Sequence, residues 1–404
     1  MTPDAPPRPG ASPASAPSPR APRIAIALGA VALLAAGALI ATRGDDGTGA
    51  PGAASAPPPG QAPEDAAQTA AQAADAPVGP EQKAPRFSKT TCWKDLERFN
   101  DTVTLGTFRE WAGPLLASKD PHVIAYLKER LAELIGEDDG RALEVLDWAR
   151  EASPAEFKLL MAGVRGAPAM LKPRVAERLI SLGLDEKVDI GRRAGFLDSL
   201  QKLHRLEPAQ LERLTHFAKD AASGEAGWVT TRAIGQVMKQ DLERTGNAKP
   251  YLDKLFTIGT ESQDEPVRYL ALEMEMHADA PLDARSTQRL GQMLATEGSE
   301  DVRQVVAHDL SLAEDKKQVL DIYAKAFANE RNLCVRWALF RFSARAAGKD
   351  ALPVMANMAL IDPRFQANYQ DIERLYASGI VDYDRIWFGL PSQDPHGCLD
   401  HHDD

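Results

Sequence analysis

Apolar residues recur at helical spacing along most of the chain. In "DEPVRYLALEMEM" (residues 264–276), an acidic residue and a proline precede Val267 and Arg268. Apolar residues then follow Val267 at positions +3, +4 and +7, namely Leu270, Ala271 and Met274. Residues at this spacing lie on one face of an α-helix. The segment therefore predicts a helix that starts near Pro266 and buries one face.

The same spacing returns along the chain at intervals of 33–41 residues. The first apolar positions of the successive matches are Val123, Phe157, Ile190, Thr231, Val267, Val302, Val335 and Ile372. The fit is poor at Ile190, and Asp309 breaks the pattern that starts at Val302. Periods of this size are typical of stacked supersecondary units, and about 35 residues hold two helices with their turns. The pattern predicts about eight stacked helix pairs.

Capping residues support these helix boundaries. Asp120-Pro121 and Ser153-Pro154 each place an N-capping side chain before a proline at the first helical position, and Asp362-Pro363 repeats the theme. Glycines that tolerate a left-handed cap mark the predicted ends, at Gly136, Gly183, Gly246 and Gly348.

Two segments between the matches supply the other helix of a pair. Residues 141–152 place Ala142, Val145, Leu146 and Ala149 on one face. Residues 316–328 do the same with Val319, Ile322, Tyr323 and Ala326. Both faces are predicted to enter the core. Residues 90–116, with Trp93 and Trp111, and 383–391, with Trp387 and Phe388, are predicted to cap the two ends.

The repeated helix entry resembles the HEAT-repeat family, over roughly residues 120–380. The residues that carry the resemblance are Asp264, Pro266, Val267, Arg268, Asp301, Val302, Arg303, Val335 and Arg336. The resemblance implies an all-α fold, an α-α superhelix (solenoid). It also implies that the motif arginine and acid hydrogen-bond between neighbouring repeats, so that Arg268, Arg303 and Arg336 are structural.

An apolar segment near the N-terminus predicts a membrane anchor. Residues 24–41 contain no polar side chain, and a helix of that length spans about 27 Å, close to the thickness of a bilayer's hydrocarbon core. Arg20 and Arg23 lie before it, so residues 1–23 are predicted to stay in the cytoplasm, disordered. This places a single-pass protein in the inner membrane, with its C-terminal domain periplasmic or extracellular. A cleaved signal peptide is the alternative interpretation.

Composition divides the rest of the chain. Residues 44–84 are rich in Ala, Pro and Gly, which predicts a disordered linker. Residues 85–390 are predicted to form the HEAT-like domain and 391–404 a tail. The net charge of −11 argues against nucleic acid as a partner. The Ala-, Pro- and Arg-rich composition is typical of a bacterium with a GC-rich genome.

The tail carries the most unusual chemistry in the chain. "PHGCLDHHDD" contains the metal-capable residues His396, Cys398, Asp400, His401 and His402. Their ligand types suit zinc, although the spacing matches no compact zinc motif and a solvated tail is the alternative. Cys334 is predicted to be a buried free thiol. A Cys92–Cys398 disulfide would have to join opposite ends of the array.

These observations favour a non-catalytic scaffold, since the chain contains neither a phosphate-binding loop nor a serine nucleophile elbow. The scaffold is expected to bind a protein or peptide on the concave face of the solenoid, with no cofactor. One alternative is a metal-dependent or lyase-like enzyme built on a HEAT-like array. Another is a structural component of an envelope or secretion assembly, in which the linker sets the spacing.

Overall fold

The computed structural model describes residues 93–220, 223–278 and 280–399. These residues form helices joined by short turns, and within them the β-structure is limited to one isolated bridge between Leu282 and Ala313. The α-helices, numbered α1 to α18 in chain order, are Trp93–Thr102, Leu105–Leu116, Pro121–Ile135, Asp139–Glu151, Pro154–Gly166, Pro173–Leu184, Ile190–Asp198, Pro208–Lys219, Gly224–Thr245, Lys249–Glu261, Glu265–Met276, Ala284–Thr296, Glu300–Leu310, Lys316–Asn329, Leu333–Ala347, Leu352–Ile361, Gln366–Ala377 and Tyr383–Gly389.

The helices pack as consecutive pairs, from α2–α3 to α16–α17. The second helices of neighbouring pairs pack on one another from α3 through α15, and first helices do so along much of the other layer. The result is a two-layer array of helix pairs in which each pair contacts mainly its neighbours, as in repeat proteins. The prediction of an all-helical fold built from helix pairs is confirmed.

The repeat pattern maps onto the second helix of every pair from α2–α3 to α16–α17. Val123, Val267, Val302, Val335 and Ile372 are all nearly inaccessible to solvent. The weak match at Ile190 was wrong in register, because Ile190 is the exposed first residue of α7. That short helix instead buries Ala194, Phe196 and Leu197 and continues into a 3₁₀ turn at Ser199–Lys202.

The predicted caps are found at most positions. Asp120 accepts hydrogen bonds from the backbone N–H groups of His122 and Val123, and Ser153 caps α5. Gly136, Gly246 and Gly348 each come directly after a helix, and each of these glycines has a positive φ. Gly183 lies one residue before the end of α6, close to the predicted position, but its φ is not positive and it does not form the predicted left-handed cap. Gly183 is buried there against Leu197, where the absence of a side chain lets α6 and α7 approach closely.

The hydrophobic core consists of two clusters that meet at α11. Val267, Leu270 and Met274 belong to the first cluster, whereas Leu272, on another face of α11, belongs to the second. Hydrophobic packing is therefore divided between the fifth pair, α10–α11, and the sixth pair, α12–α13. Leu272, with Phe256 and Tyr269 packed against the second cluster, carries apolar contact across this junction. Hydrogen bonds also cross it, from Arg268 to Glu297 and from Ser299 to Glu265.

The two ends of the array are closed by aromatic side chains. At the N-terminal end Phe99 packs edge-on against Phe108 and Tyr126, and Trp111 is partly buried against the core. The side chain of Trp93 lies outside the described residues. At the other end Trp387 packs on Trp337, with ring centroids 6.2 Å apart. Phe388, predicted to be part of this cap, is 74% exposed because α18 turns it away from the core.

The described helices include none that is both long enough and apolar enough to cross a bilayer. The predicted membrane segment 24–41, the N-terminal residues 1–23 and the linker 44–84 all lie outside the described residues.

Candidate functional site

Three arginines of the repeated motif connect consecutive helix pairs. Arg268 on α11 donates from Nε and Nη2 to the carboxylate of Glu297, at 3.0 Å each. Arg303 on α13 makes the equivalent two bonds to Glu330, at 2.8 and 3.3 Å. Arg336 on α15 donates to Asp362 at 2.8 Å. Each acceptor lies in the turn that follows the first helix of the next pair, so the three arginine–acid pairs form a ladder along one edge of the array.

The acidic partners differ from those that the family resemblance implied. The motif acids Asp264 and Asp301 take no part in the ladder within the described residues; Asp264 precedes α11 and Asp301 is exposed on α13. The turn acids replace them because their carboxylates also accept backbone N–H groups there, Glu297 from Ser299 and Glu330 from Asn332.

The same hydrogen bonds set the ionisation of the ladder acids. Burial acts to raise the pKa of Glu297, but the bonds from the Ser299 N–H and from Arg268 outweigh it and leave this pKa below its ordinary value. The pKa of Glu330 is lowered in the same way, by the Asn332 N–H and Arg303. Both carboxylates are therefore charged at neutral pH, and the arginine–acid pairs are intact ion pairs.

A groove of about 680 Å³ lies between α12 and α14, the first helices of the sixth and seventh pairs. Its size falls within the range of about 300–1,000 Å³ that is typical of ligand sites. The ladder pair of Arg303 and Glu330 lines one end of it. An ion pair that joins the sixth and seventh helix pairs therefore forms part of the groove wall.

The groove has an apolar floor and a polar rim. Leu294, Ala295, Ile322 and Ala326 supply apolar surface. The polar and charged lining residues are Gln288, Gln292, Gln318, Lys325, Asn329 and Arg331, together with the ladder residues Glu297, Arg303 and Glu330. Gly291 completes the floor, and a Cβ at that position would lie 2.9 Å from Cδ1 of Ile322. The glycine therefore lets α14 pack closely across the floor.

Sequence reasoning missed this groove because it assigned two of its floor residues to the core. Ile322 and Ala326 were predicted to be buried with Val319 and Tyr323. In the structure α14 buries Val319, Leu320, Tyr323 and Phe327, and Ile322 and Ala326 are only partly buried. Leu320 and Phe327 also lie at helical spacing, so the sequence was compatible with a buried face that includes them in place of Ile322 and Ala326. That alternative was the signal that could have revealed the groove.

The C-terminal segment is held to the array by a disulfide bond. Cys334, near the start of α15, is bonded to Cys398, and their Cα atoms are 5.2 Å apart. The prediction that Cys334 is a free thiol was wrong. The chain returns from α17 and α18 across α15, which brings residue 398 next to residue 334. Cys92, the third cysteine, lies outside the described residues.

The disulfide also removes the sulfur ligand from the predicted metal site in the tail. His396 packs against Phe365 and Trp337, with centroids 4.9 and 5.3 Å away, and hydrogen-bonds to Asn368. Burial, followed by the nearby Arg364, lowers the pKa of His396. Asp400, His401 and His402 lie outside the described residues. Over the residues that the structure does describe, no cluster of three His, Cys, Asp or Glu side chains could hold a metal ion.

Buried ionisable groups lie at the junction where the core divides. Asp309 on α13 is almost fully buried, and neither of its carboxylate oxygens has a hydrogen-bond partner within the described residues. Glu275, at the end of α11, has one buried carboxylate oxygen that also lacks a hydrogen-bond partner within the described residues. Burial raises the pKa of Glu275 to about 8, with a further contribution from Asp253, and burial with the charge of Glu275 raises that of Asp309.

His308 adjoins these acids. Its ring contacts Arg345 through Nε2, and burial with Arg345 and Arg341 lowers the pKa of His308 to about 3. The imidazole is therefore neutral at physiological pH. Burial therefore favours the neutral forms of Glu275, His308 and Asp309.

Comparison with known proteins adds no family to this description. No protein-family model matches the chain, and neither the curated proteins nor the solved structures compared with it give a significant match.

Proposed function

We propose that this protein is a non-catalytic binding scaffold of the HEAT-like repeat type, which holds a protein or peptide partner in an extracytoplasmic compartment. The observation that carries the proposal is the groove between α12 and α14. It is a preformed surface with an apolar floor and a hydrogen-bonding rim, as recognition sites for polypeptides require.

The ladder supports a binding role because it fixes the groove before any partner arrives. Arg303 and Glu330 line the groove and join the two helix pairs that form its walls. A preorganised surface loses little conformational entropy on binding, so more of the contact energy contributes to affinity. The partner would lie against the layer of first helices, on the side opposite the motif-bearing second helices.

The disulfide and the N-terminal sequence support the proposed location. Disulfides persist in oxidising compartments and are rare in the cytosol, and Cys334–Cys398 joins the tail to the array. The apolar residues 24–41 would anchor the chain in the inner membrane as a single-pass protein. The Ala- and Pro-rich residues 44–84 would hold the array away from the bilayer.

Site-specific photocrosslinking in cells tests the binding function directly. A photoreactive benzoylphenylalanine in place of Gln292, in the groove, should give a discrete adduct with one polypeptide. The same residue in place of the exposed Lys172, on the turn before α6 and outside the groove, is the matched control. Absence of an adduct at Gln292, or an identical adduct at both positions, would count against a scaffold that uses this groove.

A fusion of alkaline phosphatase to the C-terminus tests the location, because this enzyme folds to its active form only where its disulfides can form. The proposal expects an active fusion protein in the membrane fraction. An inactive fusion of normal abundance would place the array in the cytoplasm.

A further inference from the structure

We infer that the groove between α12 and α14 takes an extended, acidic segment of the partner polypeptide. This inference rests on the proposed scaffold function and specifies the chemical class of its partner. Three features carry it, namely the spacing of the side-chain amides, the distribution of charge and the composition of the floor.

The amides match the repeat of an extended peptide. Gln288 and Gln292 are four residues apart on α12, so they project about 6 Å apart along the helix. Backbone groups on one side of an extended strand repeat every 6.6–6.8 Å, approximately the same distance. The side chains of Gln288, Gln292 and Gln318 have no hydrogen-bond partner in the described part of the chain. A primary amide both donates and accepts, and so does a peptide unit.

The charge of the two walls is opposite to that of the chain. Helices α12 and α14 together contain five basic residues and one acidic residue, whereas the whole chain has a net charge of −11. The basic residues are Arg285, Arg289, Lys316, Lys317 and Lys325, and the acidic residue is Asp321. Arg289 is already paired with Glu261 at 2.9 Å. With the N-cap acids Asp283 and Asp315 counted, four basic and three acidic residues remain, a small positive excess that favours an anionic occupant. Of the five basic residues, Lys325 is the one that lines the groove.

The positive charge reaches the groove itself at one end. Lys325 and Arg331 line it and are exposed, and neither forms an ion pair with any residue between 93 and 399 that the structure describes. The groove's two acids are neutralised by the ladder, Glu297 by Arg268 and Glu330 by Arg303. An acidic side chain or a terminal carboxylate of the partner would therefore meet two cations with no competing anion.

The residue types in the floor of the groove favour a peptide over a nucleic acid as its occupant. Single-stranded nucleic acids are held by aromatic side chains on which the bases stack, in addition to basic residues. None of the fourteen residues that line the groove is aromatic. Ile322, Ala326 and Ala295 instead offer aliphatic surface on which the small or branched side chains of an extended peptide can pack.

A peptide array tests the inference with the purified full-length protein in detergent. The array carries random decapeptides with net charges from −4 to +4, and the bound protein is detected by antibody. Binding should rise as the peptide charge becomes more negative. The double variant Lys325→Glu/Arg331→Glu should reduce binding to the acidic peptides at least tenfold. The control variant Lys172→Glu/Lys187→Glu reverses the charge of two exposed lysines on either side of α6. Its binding to the acidic peptides should stay within twofold of that of the wild type.

A second variant separates groove binding from charge attraction at a distance. Ala326→Trp fills the floor without changing charge, and it should abolish binding of acidic peptides. Equal binding across all peptide charges, binding that survives Ala326→Trp, or full competition by a single-stranded oligonucleotide would each overturn the inference. If a photocrosslink at Gln292 persists while the peptide array shows no preference for acidic peptides, the proposed scaffold function stands. Only the inference that the partner segment is acidic is then overturned.

Discussion

Arg268 and Glu297 form a bidentate ion pair across the junction where the hydrophobic core divides. Arg268 lies on α11, and Glu297 follows α12 in the next helix pair. Arg268 also donates to the carbonyl of Ser262, 3.2 Å away. Glu265 accepts a hydrogen bond from Ser299 across the same junction, at 2.6 Å. Polar bonds therefore couple the fifth and sixth pairs at the place where apolar packing is divided.

Substitution Arg268→Met should destabilise this junction by about 2–4 kcal/mol, since it leaves the largely buried carboxylate of Glu297 without its cation. Urea unfolding of a soluble fragment covering residues 85–404 measures this. We also expect the transition to broaden, because neighbouring pairs that are less strongly coupled unfold less cooperatively.

The exposed pair Arg374–Asp371 serves as the control. Arg374 is 73% exposed, and its bond to Asp371 spans one helical turn. Substitution Arg374→Met should change stability by less than about 0.5 kcal/mol. An equal loss for the two substitutions would show that the ladder does not couple the pairs.

The close packing of a glycine at a repeat position predicts that adding a methyl group there lowers the stability of the fold. Gly235 on α9 occupies the same place in the pattern as Ala271 on α11, and a Cβ on it would lie 2.6 Å from Cγ of Met274. Substitution Gly235→Ala should cost about 1–3 kcal/mol through overpacking, although alanine favours helix. Substitution Gly106→Ala, on the exposed side of α2, should instead stabilise by about 0.5–1 kcal/mol, because no atom outside its chain neighbours lies within 4 Å of that added Cβ. Thermal unfolding of both variants checks the opposite signs.

The repeat was predictable from sequence because stacking imposes the same burial at each step. Val267, Val302 and Val335 meet equivalent neighbours, so a fixed period reveals them. The ladder was predictable only on the arginine side. Glu297 and Glu330 lie outside the motif, in turns whose backbone N–H groups select an acceptor, and turn geometry leaves no periodic signal.

The groove and the disulfide depend on packing between elements that the sequence pattern does not order. Ile322 and Leu320 are both compatible with a buried face of α14, and only the position of α12 decides which of them packs inward. Cys398 lies 64 residues from Cys334. Stacking alone would place residue 398 at the far end of the array, but the chain turns back across α15 after α18.

Stability should depend on pH through Glu275. Its pKa in the folded chain is about 8 because of burial and the nearby Asp253, against an ordinary 4.5. The unfolded chain therefore releases this proton at lower pH than the folded chain does. The contribution of Glu275 makes stability fall as pH rises from 4.5 to 8, by at most about 1.4 kcal/mol per pH unit, and this contribution is constant above pH 8. Asp309, also buried nearby, acts in the same direction.

Substitution Glu275→Gln should remove most of this dependence. The variant should be more stable than the wild type at pH 8, and the difference should shrink towards pH 4.5. Free energies of unfolding from urea titrations at pH 4.5, 6 and 8 give the comparison. Parallel curves for variant and wild type would show that Glu275 is not protonated in the folded protein.

The bond between Cys334 and Cys398 should stabilise the last helix pairs. It closes a loop with a sequence separation of 64 residues, for which chain entropy gives about 4 kcal/mol. The double variant Cys334→Ser/Cys398→Ser should lose about 2–4 kcal/mol, with faster hydrogen exchange confined to α15–α18 because each pair depends mainly on its neighbours. His396 and Trp387 would lose their fixed position over Trp337, so the fluorescence of that cluster should also change. Peptide mapping without reductant should recover a linked fragment containing both cysteines, whereas alkylation of either thiol in the native protein would contradict the bond.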